Sequence, residues 1–249
     1  MPKSTFKTST GDVELPISFY DTQNLIAIFK ADIRGIETLL QGTEFIPALH
    51  LGRSPLVWIS FYQYSDTTVG SYNEVGIAIP VLREGAKKPS SNYLDLLGNI
   101  DNSQVGFYIV NLPVTTEAAN IAGQEIWGYP KFVTEIPFSL GKNRFDAEVM
   151  DPQEGSIAKL NGQLNLGIKA PTLSGITYSH VGTDTLRSSV NVRGNYKAHL
   201  FHSLKLTVGA SQHVMAKNLT AMGLNNRRPL AVMASRDFQS RLHAGVIVK

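Results

Sequence analysis

The chain contains no cysteine, so neither disulfide bonds nor thiolate metal sites are available to it. The lack of disulfides fits a reducing compartment. No apolar run is long enough to cross a bilayer, and residues 1–10 lack the apolar core of a secretion signal. We therefore expect a cytoplasmic protein with no membrane partner.

The sequence also lacks an excess of charge of either sign. The net charge is +3 over 249 residues, and Lys87-Lys88 and Arg227-Arg228 are the only adjacent basic pairs. Proteins that bind nucleic acids have clustered basic surfaces, so a nucleic-acid partner is not expected. A G-x-G-x-x-G after a strand, a P-loop and a G-x-S-x-G elbow are absent too, which excludes the usual nucleotide-binding and serine-hydrolase classes.

Six histidines raise the question of a metal site, most directly at His199 and His202. In a strand, residues three apart point to opposite faces, and no nearby carboxylate stands at a spacing typical of metal ligands. We therefore expect no metal site. No other pattern in the sequence requires a cofactor.

What the sequence does contain is typical of a folded β protein. Hydrophobic residues make up 43% and charged residues 17%, which is ordinary globular composition. All-β barrels reach this length as one domain, so we expect a single domain over residues 1–249. Many short β-branched and aromatic runs predict a mainly β (α+β) fold, a curved antiparallel sheet that closes into a barrel or cone with a few short helices.

The expected elements follow from periodicity and from turn residues. Residues 83–104 should form a loop with one short helix, and residues 56–64 and 105–110 should be buried on both faces. Asp32 should cap the first helix. Residues 164–168 and 204–208 alternate with period two, the pattern of half-exposed strands. Strands are expected at 19–30, 56–64, 105–110, 132–140, 145–150, 157–168, 188–192, 204–208 and 244–248, and helices at 32–40, 116–122 and 212–222.

The most informative stretch is GQEIWGYPKF, residues 123–132. It follows the helical pattern of residues 116–122. Gly128 can adopt the left-handed conformation that ends a helix, and Pro130 prevents the helix from continuing. The chain is therefore expected to turn just before Lys131.

Lys131 is thereby placed at a rigid junction among Trp127, Tyr129 and Phe132. Burial there would disfavour the charged form of the lysine and leave its amine available as a nucleophile. In an arbitrary protein, however, a lysine after Tyr-Pro is more often a charged residue at a strand edge. The local pattern alone leaves both interpretations open.

With these residues in place, the sequence resembles the acetoacetate decarboxylase-like enzymes, whose motif combines a G-(R/Q)-E start with G-(Y/F)-P-K. In that family the lysine after Tyr-Pro forms a Schiff base with a substrate ketone, which implies this role for Lys131. Residues 70–81, GSYNEVGIAIPV, are similar to the family segment G-x-Y-x-E-x-G-x-A-I-P-V. The family's active-site carboxylate corresponds to Glu74. The resemblance extends over nearly the whole chain, and these two segments are its specific part.

The resemblance implies a Schiff-base lyase without a cofactor, acting on a small-molecule keto acid and forming a homo-oligomer. The expected reaction is decarboxylation of a β-keto acid through a lysine iminium, with Lys131 as nucleophile and Glu74 as proton shuttle. The same iminium also serves aldolase-dehydratase or cyclase chemistry on a larger keto substrate, for example in secondary metabolism. A non-catalytic barrel that binds a small molecule is the third hypothesis.

Further residues are expected to contact the substrate. Glu117 and Gln124 are seven residues apart on one helical face, so both could point into one cavity. The remaining candidates come from the two matched segments and from an alignment of Ser60 with a family glutamate. They are Trp127, Tyr129, Phe132, Tyr72 and Ser60.

The sequence departs from the decarboxylases at three positions. A second lysine follows the Schiff-base lysine in those enzymes, whereas this chain has Phe132. An arginine of their N-terminal strand corresponds to Thr22, and a glutamate corresponds to Ser60. The scaffold and the lysine are thus kept while part of the machinery for β-keto acids is replaced.

Overall fold

A computed structural model describes residues 4–248, which form mainly strands, as expected. The strands are β1 (Ser4–Thr8), β2 (Gly11–Leu15), β3 (Ile17–Lys30), β4 (Phe45–Pro47), β5 (His50–Leu51), β6 (Ser54–Thr67), β7 (Tyr72–Arg83), β8 (Gly106–Asn111), β9 (Phe138–Leu140), β10 (Arg144–Met150), β11 (Ser156–Gln163), β12 (Ile168–Ala170), β13 (Gly175–Val181), β14 (Asp184–Arg193), β15 (Tyr196–His199), β16 (Lys205–Val208), β17 (Ala231–Leu242) and β18 (Val246–Val248). The helices are α1 (Ile33–Leu40), α2 (Asn92–Asp95), α3 (Glu117–Trp127) and α4 (Val214–Ala221). Within residues 4–248, no helix has both the length and the apolar character needed to cross a membrane.

Seven strands close into a barrel in the order β17, β3, β6, β7, β8, β13 and β14, because β14 pairs back with β17. The predicted barrel is therefore confirmed. Six of these pairings are antiparallel, whereas β8 and β13 are parallel. Antiparallel neighbours can be joined by a tight turn, but a parallel pair needs a long crossover. Here the crossover contains α3 and the strands β9, β10 and β11.

The second sheet has the order β16, β11, β10 and β9, and it packs against the outside of the barrel. Phe61 of β6 meets Phe145 of β10 with ring centroids 5.3 Å apart in an edge-on arrangement. Val57 and Ile59 point into the same core, to which α1 and α4 also contribute. Because side chains alternate along a strand, the other face of β6 points into the barrel. Both faces of β6 are therefore enclosed, as predicted.

Helix α3 ends as the sequence predicted. Gly128 has a φ of 64° and its N–H donates to the Gln124 carbonyl at 2.9 Å. A Cβ at this position would collide with the carbonyl oxygen of His180, so the close approach to β13 also requires glycine. Pro130 follows two residues later, and the chain leaves the helix towards Lys131.

Several other elements are confirmed with shifted ends. Asp32 caps α1 by accepting the Arg34 N–H at 2.9 Å. Residues 212–222 contain α4, residues 244–248 contain β18, and residues 83–104 contain only the short α2. Three barrel strands, β7, β13 and β17, were not predicted from the sequence. Gly76 and Pro80 interrupt the apolar pattern of β7, and two register shifts interrupt the alternation of β17.

Two predicted strands are wrong over most of their length. Of residues 132–140 only 138–140 form a strand, because 131–137 cross from the barrel to the second sheet with a single bridge, Val114 to Val133. Residues 164–168 were expected to be half-exposed strand. Leu164 makes one isolated bridge and β12 begins only at Ile168. Between them Leu166 is 92% exposed, so no neighbouring strand covers it.

Candidate active site

A cavity of about 220 Å³ occupies the interior of the barrel. Its walls are mainly apolar and aromatic, and among the described residues that line it Lys131 and Glu74 are the only charged ones. A cavity of about 150 Å³ is large enough to hold benzene. This cavity is therefore large enough for a small organic molecule, which would meet one cation and one anion.

Lys131 and Glu74 form a close ion pair inside this cavity. The Lys131 Nζ lies 2.5 Å from Oε2 of Glu74, and the two side chains are 6% and 10% exposed. Glu74 is on β7 directly opposite Tyr62 of β6, and Lys131 enters from the segment after α3. A buried pair at this distance allows a proton to pass between the amine and the carboxylate.

The turn after α3 holds the backbone of Lys131 in place. The Tyr129 N–H donates to the Gly123 carbonyl at 3.1 Å, and the Lys131 N–H donates to the Tyr129 carbonyl at 2.7 Å. On the barrel side, the Leu112 N–H donates to the Pro130 carbonyl at 3.1 Å. The lysine is thus tied both to the helix end and to the segment after β8.

Gly123 makes room for the lysine side chain. The aliphatic part of Lys131 crosses α3 at this residue, and a Cβ on Gly123 would overlap its Cδ and Cε atoms. The glycine that opens the motif therefore has a local steric function. Because Gly123 has no side chain, the Lys131 side chain can pass across α3 at this point and bring its Nζ to Glu74.

Tyrosines surround the ion pair. The Tyr64 hydroxyl donates to Oε1 of Glu74 at 3.3 Å, and the Nζ of Lys131 lies 5.7 Å from the ring centre of Tyr72. Burial raises the pKa of Tyr64 and Tyr72 well above the ordinary value, and the charge of Glu74 raises it further. Burial also raises the pKa of Tyr62 to about 12, against a hydrogen bond with Ser60 that lowers it. At neutral pH these hydroxyls stay protonated and act as neutral donors.

Trp127 and Tyr129 both line the cavity, where the sequence analysis expected them. Their rings stack with centroids 5.9 Å apart and an interplanar angle of 13°. The Trp127 Nε1 donates to the His243 carbonyl at 3.0 Å, and the Tyr129 hydroxyl pairs with Oγ1 of Thr177 at 2.6 Å. Both polar groups are satisfied by the barrel wall, so these residues present mainly apolar ring surface to a ligand.

Phe132 lies outside the cavity, which corrects the expectation that it contacts substrate. Its ring packs against His213, with centroids 4.3 Å apart. The segment is extended, and successive side chains of an extended chain point in opposite directions. Because Lys131 points into the barrel, Phe132 points away from it.

Glu117 and Gln124 also lie outside the cavity lining, and both are exposed. They do share a side of α3, but the cavity is lined by the opposite side. Gln124 has a structural contact instead, because its Nε2 donates to the Lys131 carbonyl at 2.8 Å and to Oδ1 of Asn120 at 3.0 Å. Asn120 in turn donates to Glu117 at 3.3 Å. This chain of hydrogen bonds ties the lysine backbone to the helix.

The two other positions at which the chain departs from the decarboxylases are in the barrel wall. Ser60 lines the cavity on β6, opposite Gly76 of β7. Thr22 is fully buried on β3, opposite Tyr64, and is not among the lining residues. The cavity therefore has no arginine among its described lining residues.

Several cavity residues were not predicted from the sequence, among them Tyr62, which is opposite Glu74, and Tyr64, which donates to it. Ser60 had been named as a candidate, and both tyrosines follow it at intervals of two on the same strand. The period of the strand was therefore the signal that could have found them. Phe238, from β17, gave no such signal because a bulge on each side breaks the alternation.

The chain belongs to the acetoacetate decarboxylase family. The family model for acetoacetate decarboxylase (ADC) matches residues 3–180, which is more than half of the chain. Both segments that carried the resemblance, at 70–81 and 123–132, lie within this range. No curated protein matches the sequence.

Solved structures share the fold at low sequence identity. Acetoacetate decarboxylase from Legionella pneumophila aligns with a TM-score of 0.70 at 14% identity, over 100% of this chain and 92% of the other. An acetoacetate decarboxylase-like enzyme from Sphingomonas wittichii RW1 gives 0.64 at 11%, over 95% and 94%. The enduracididine biosynthesis enzyme MppR, complexed with the condensation product of pyruvate and imidazole 4-carboxaldehyde, gives 0.61 at 13%, over 93% and 88%. These similarities establish the fold.

Proposed function

We propose that this protein decarboxylates a β-keto acid through an iminium on Lys131. The observation that carries the proposal is the buried ion pair, in which Nζ of Lys131 lies 2.5 Å from a Glu74 oxygen. No other lining residue among residues 4–248 is charged. Membership of the acetoacetate decarboxylase family supports the same chemistry. The proposed steps need only these two side chains and water.

The first step forms the iminium. Glu74 accepts a proton from Lys131, and the neutral amine attacks the keto carbon of the substrate. The carbonyl oxygen then takes protons and leaves as water, with Glu74 returning the proton that it had accepted. The keto carbon is now joined to Nζ by a positively charged C=N bond.

In the second step the carbon–carbon bond to the carboxylate breaks. Its electron pair forms the double bond of an enamine, the nitrogen becomes neutral, and CO2 leaves. A carboxylate without a cation is costly to hold in an apolar cavity. The loss of CO2 converts the iminium and the carboxylate into neutral products, so the uncharged surroundings favour this step.

The last steps release the product. Glu74, after taking a proton from solvent, delivers it to the enamine carbon and restores the iminium. Water then adds to the C=N bond and gives the ketone and free Lys131. The net reaction consumes one proton and releases CO2 and a ketone.

The proposal is tested by trapping the iminium in the intact protein. A 3-oxo acid labelled in its carboxyl group is added, CO2 release is measured, and borohydride then reduces any imine for peptide mapping by mass spectrometry. We expect CO2 release and added mass on the peptide that contains Lys131. The exposed Lys142 serves as an internal control. Equal labelling of both lysines, or an adduct at Lys131 without CO2 release, would contradict the proposal.

The Glu74→Gln variant should separate the proton steps from the covalent step. Glutamine cannot carry a proton to the enamine, and general acid–base catalysis typically contributes about 10²–10⁴-fold. The variant keeps the amine of Lys131, so the imine should still form with excess ketone. We therefore expect CO2 turnover to fall by about 10²-fold or more, while the trapping yield falls much less. Equal losses in the two measurements would make Glu74 a positioning residue.

A further inference from the structure

Aromatic rings fill the cavity on one side of the ion pair. Tyr72 packs on Tyr64 with ring centroids 4.7 Å apart, and Tyr64 packs on Phe19 at 4.5 Å. Tyr62 stacks on Tyr64 from the other direction, with centroids 5.2 Å apart and an interplanar angle of 7°. Since Nζ of Lys131 lies over Tyr72, only a short branch of a bound ketone fits on this side.

Small residues line the cavity on the other side. Ser60 and Gly76 are directly opposite each other on β6 and β7, and Ala78 is the next inward residue along β7. The Leu112 side chain covers part of Gly76, since a Cβ there would lie 3.2 Å from its Cδ1. We call Ser60, Gly76 and Ala78 the small-residue floor. A strand rises about 3.4 Å per residue, so Ala78 at the end of the floor is about 14 Å along β7 from Glu74.

The floor ends under aromatic and aliphatic side chains. Trp58 is opposite Ala78 on β6, and its ring meets that of Phe107 edge-on with centroids 5.5 Å apart. Both residues line the cavity and are half-buried. Ile109 pairs with Ala78 on the other neighbouring strand. A group that reaches this end meets apolar surface and no charge among the described lining residues.

From this asymmetry we propose that the substrate is a 3-oxo acid with a medium-length alkyl chain on its keto carbon, lying along the small-residue floor. The inference rests on the proposed function, in which the keto carbon is bonded to Lys131. By comparison with the cavity of about 150 Å³ that holds benzene, 220 Å³ accommodates a chain of about three to five carbons besides the reacting atoms. The length of the small-residue floor therefore limits the length of the alkyl chain, and Ala78 lies near the far end of the floor.

Methyl ketones test the floor without relying on decarboxylation, because they form the same imine. Acetone, 2-pentanone and 2-heptanone are each trapped by borohydride at subsaturating concentration, and the rate of adduct formation at Lys131 is measured. Burial of each methylene should raise apparent affinity about fourfold. We expect 2-heptanone to be trapped at least about tenfold more efficiently than acetone.

The variant Ala78→Leu should remove this preference, because leucine fills the far end of the floor. The ratio of trapping between 2-heptanone and acetone should fall to about one. Ala118 is exposed on α3, so Ala118→Leu is a matched control that should keep the ratio of the original protein. Circular dichroism checks that each variant folds. If Ala78→Leu fails to fold, Ser60→Leu tests the same space from β6.

The outcomes separate this inference from the proposed function. Trapping that rises with chain length, and that loses this dependence in Ala78→Leu, supports the floor. Equal trapping of the three ketones, or a ratio that Ala78→Leu leaves unchanged, contradicts the inferred preference for an alkyl chain but not the proposed decarboxylation. If trapping depends on chain length but no CO2 is released from 3-oxooctanoate, the binding of an alkyl chain along the floor is supported and the proposed decarboxylation is contradicted. No adduct with any ketone overturns both.

Discussion

Replacement of Lys131 with methionine is expected to abolish both CO2 release and the ketone-dependent adduct. Methionine is unbranched and apolar, so it can occupy the space beside Gly123 without offering an amine. The described lining residues contain no second lysine that could take over the reaction. The measurements are release of labelled CO2 and borohydride trapping with peptide mapping.

The same variant should be less stable. It leaves the carboxylate of Glu74 in the cavity without the cation that lies 2.5 Å from it. Removal of one partner from a buried ion pair typically costs about 3–5 kcal/mol. The double variant Lys131→Met with Glu74→Gln removes both charges, so it should recover most of this stability and remain inactive. Denaturant unfolding of the single and double variants measures the difference.

Lys142→Met is the matched control, since this lysine is exposed. It should keep both activity and stability. Persistent ketone adducts in Lys131→Met would show that another group reacts. A double variant as unstable as the single one would show that the charge of Glu74 is not what the lysine stabilises.

The Gly123→Ala variant is expected to lose about 10²-fold in imine formation while it stays folded, because a displacement of about 1 Å at a reacting group can cost this much. Gly123 lies inside α3, where alanine is favoured over glycine by about 1 kcal/mol. Its Cβ would nevertheless overlap Cδ and Cε of Lys131, so the lysine side chain must move. Nζ would then leave its position beside Glu74.

The rate of trapping and the free energy of unfolding should therefore change in different ways. We expect the trapping rate to fall by about 10²-fold. The free energy of unfolding should change by no more than about 1 kcal/mol. Gly141→Ala is the matched control, because its Cβ would make an ordinary contact at 3.5 Å from the Arg144 carbonyl oxygen. Normal trapping in Gly123→Ala would mean that the lysine reaches Glu74 by another route.

Much of the candidate site could be predicted because it depends on local rules. The helix before Gly128, its left-handed end and the turn at Pro130 follow from the conformations that glycine and proline allow. The placement of Phe132 could not be predicted in this way. Its position next to Lys131 suggests a contact with the substrate, whereas extended backbone places neighbouring side chains on opposite sides.

Some strands of the barrel could likewise be predicted from local patterns, whereas others could not. Strand β6 was found from its β-branched and aromatic run, and its alternation already separates Ser60 from Ile59. Strand β17 was not predicted, because two register shifts break its period, the first of them at Arg236 and Asp237. Closure of the barrel depends on the pairing of β14 with β17, which are far apart in the chain, and no local pattern encodes it.

By itself the sequence determined the class of fold, the turn that presents Lys131 and the two segments of family resemblance. These depend on backbone conformations and on side-chain periods within a few residues. Only the tertiary structure decided that Lys131 meets Glu74, 57 residues away, and that Gly123 leaves the space for it. It also decided which side of Glu74 is filled by rings and which by small residues. Such contacts depend on strand register and on chain closure, and these are set by the packing of the whole barrel.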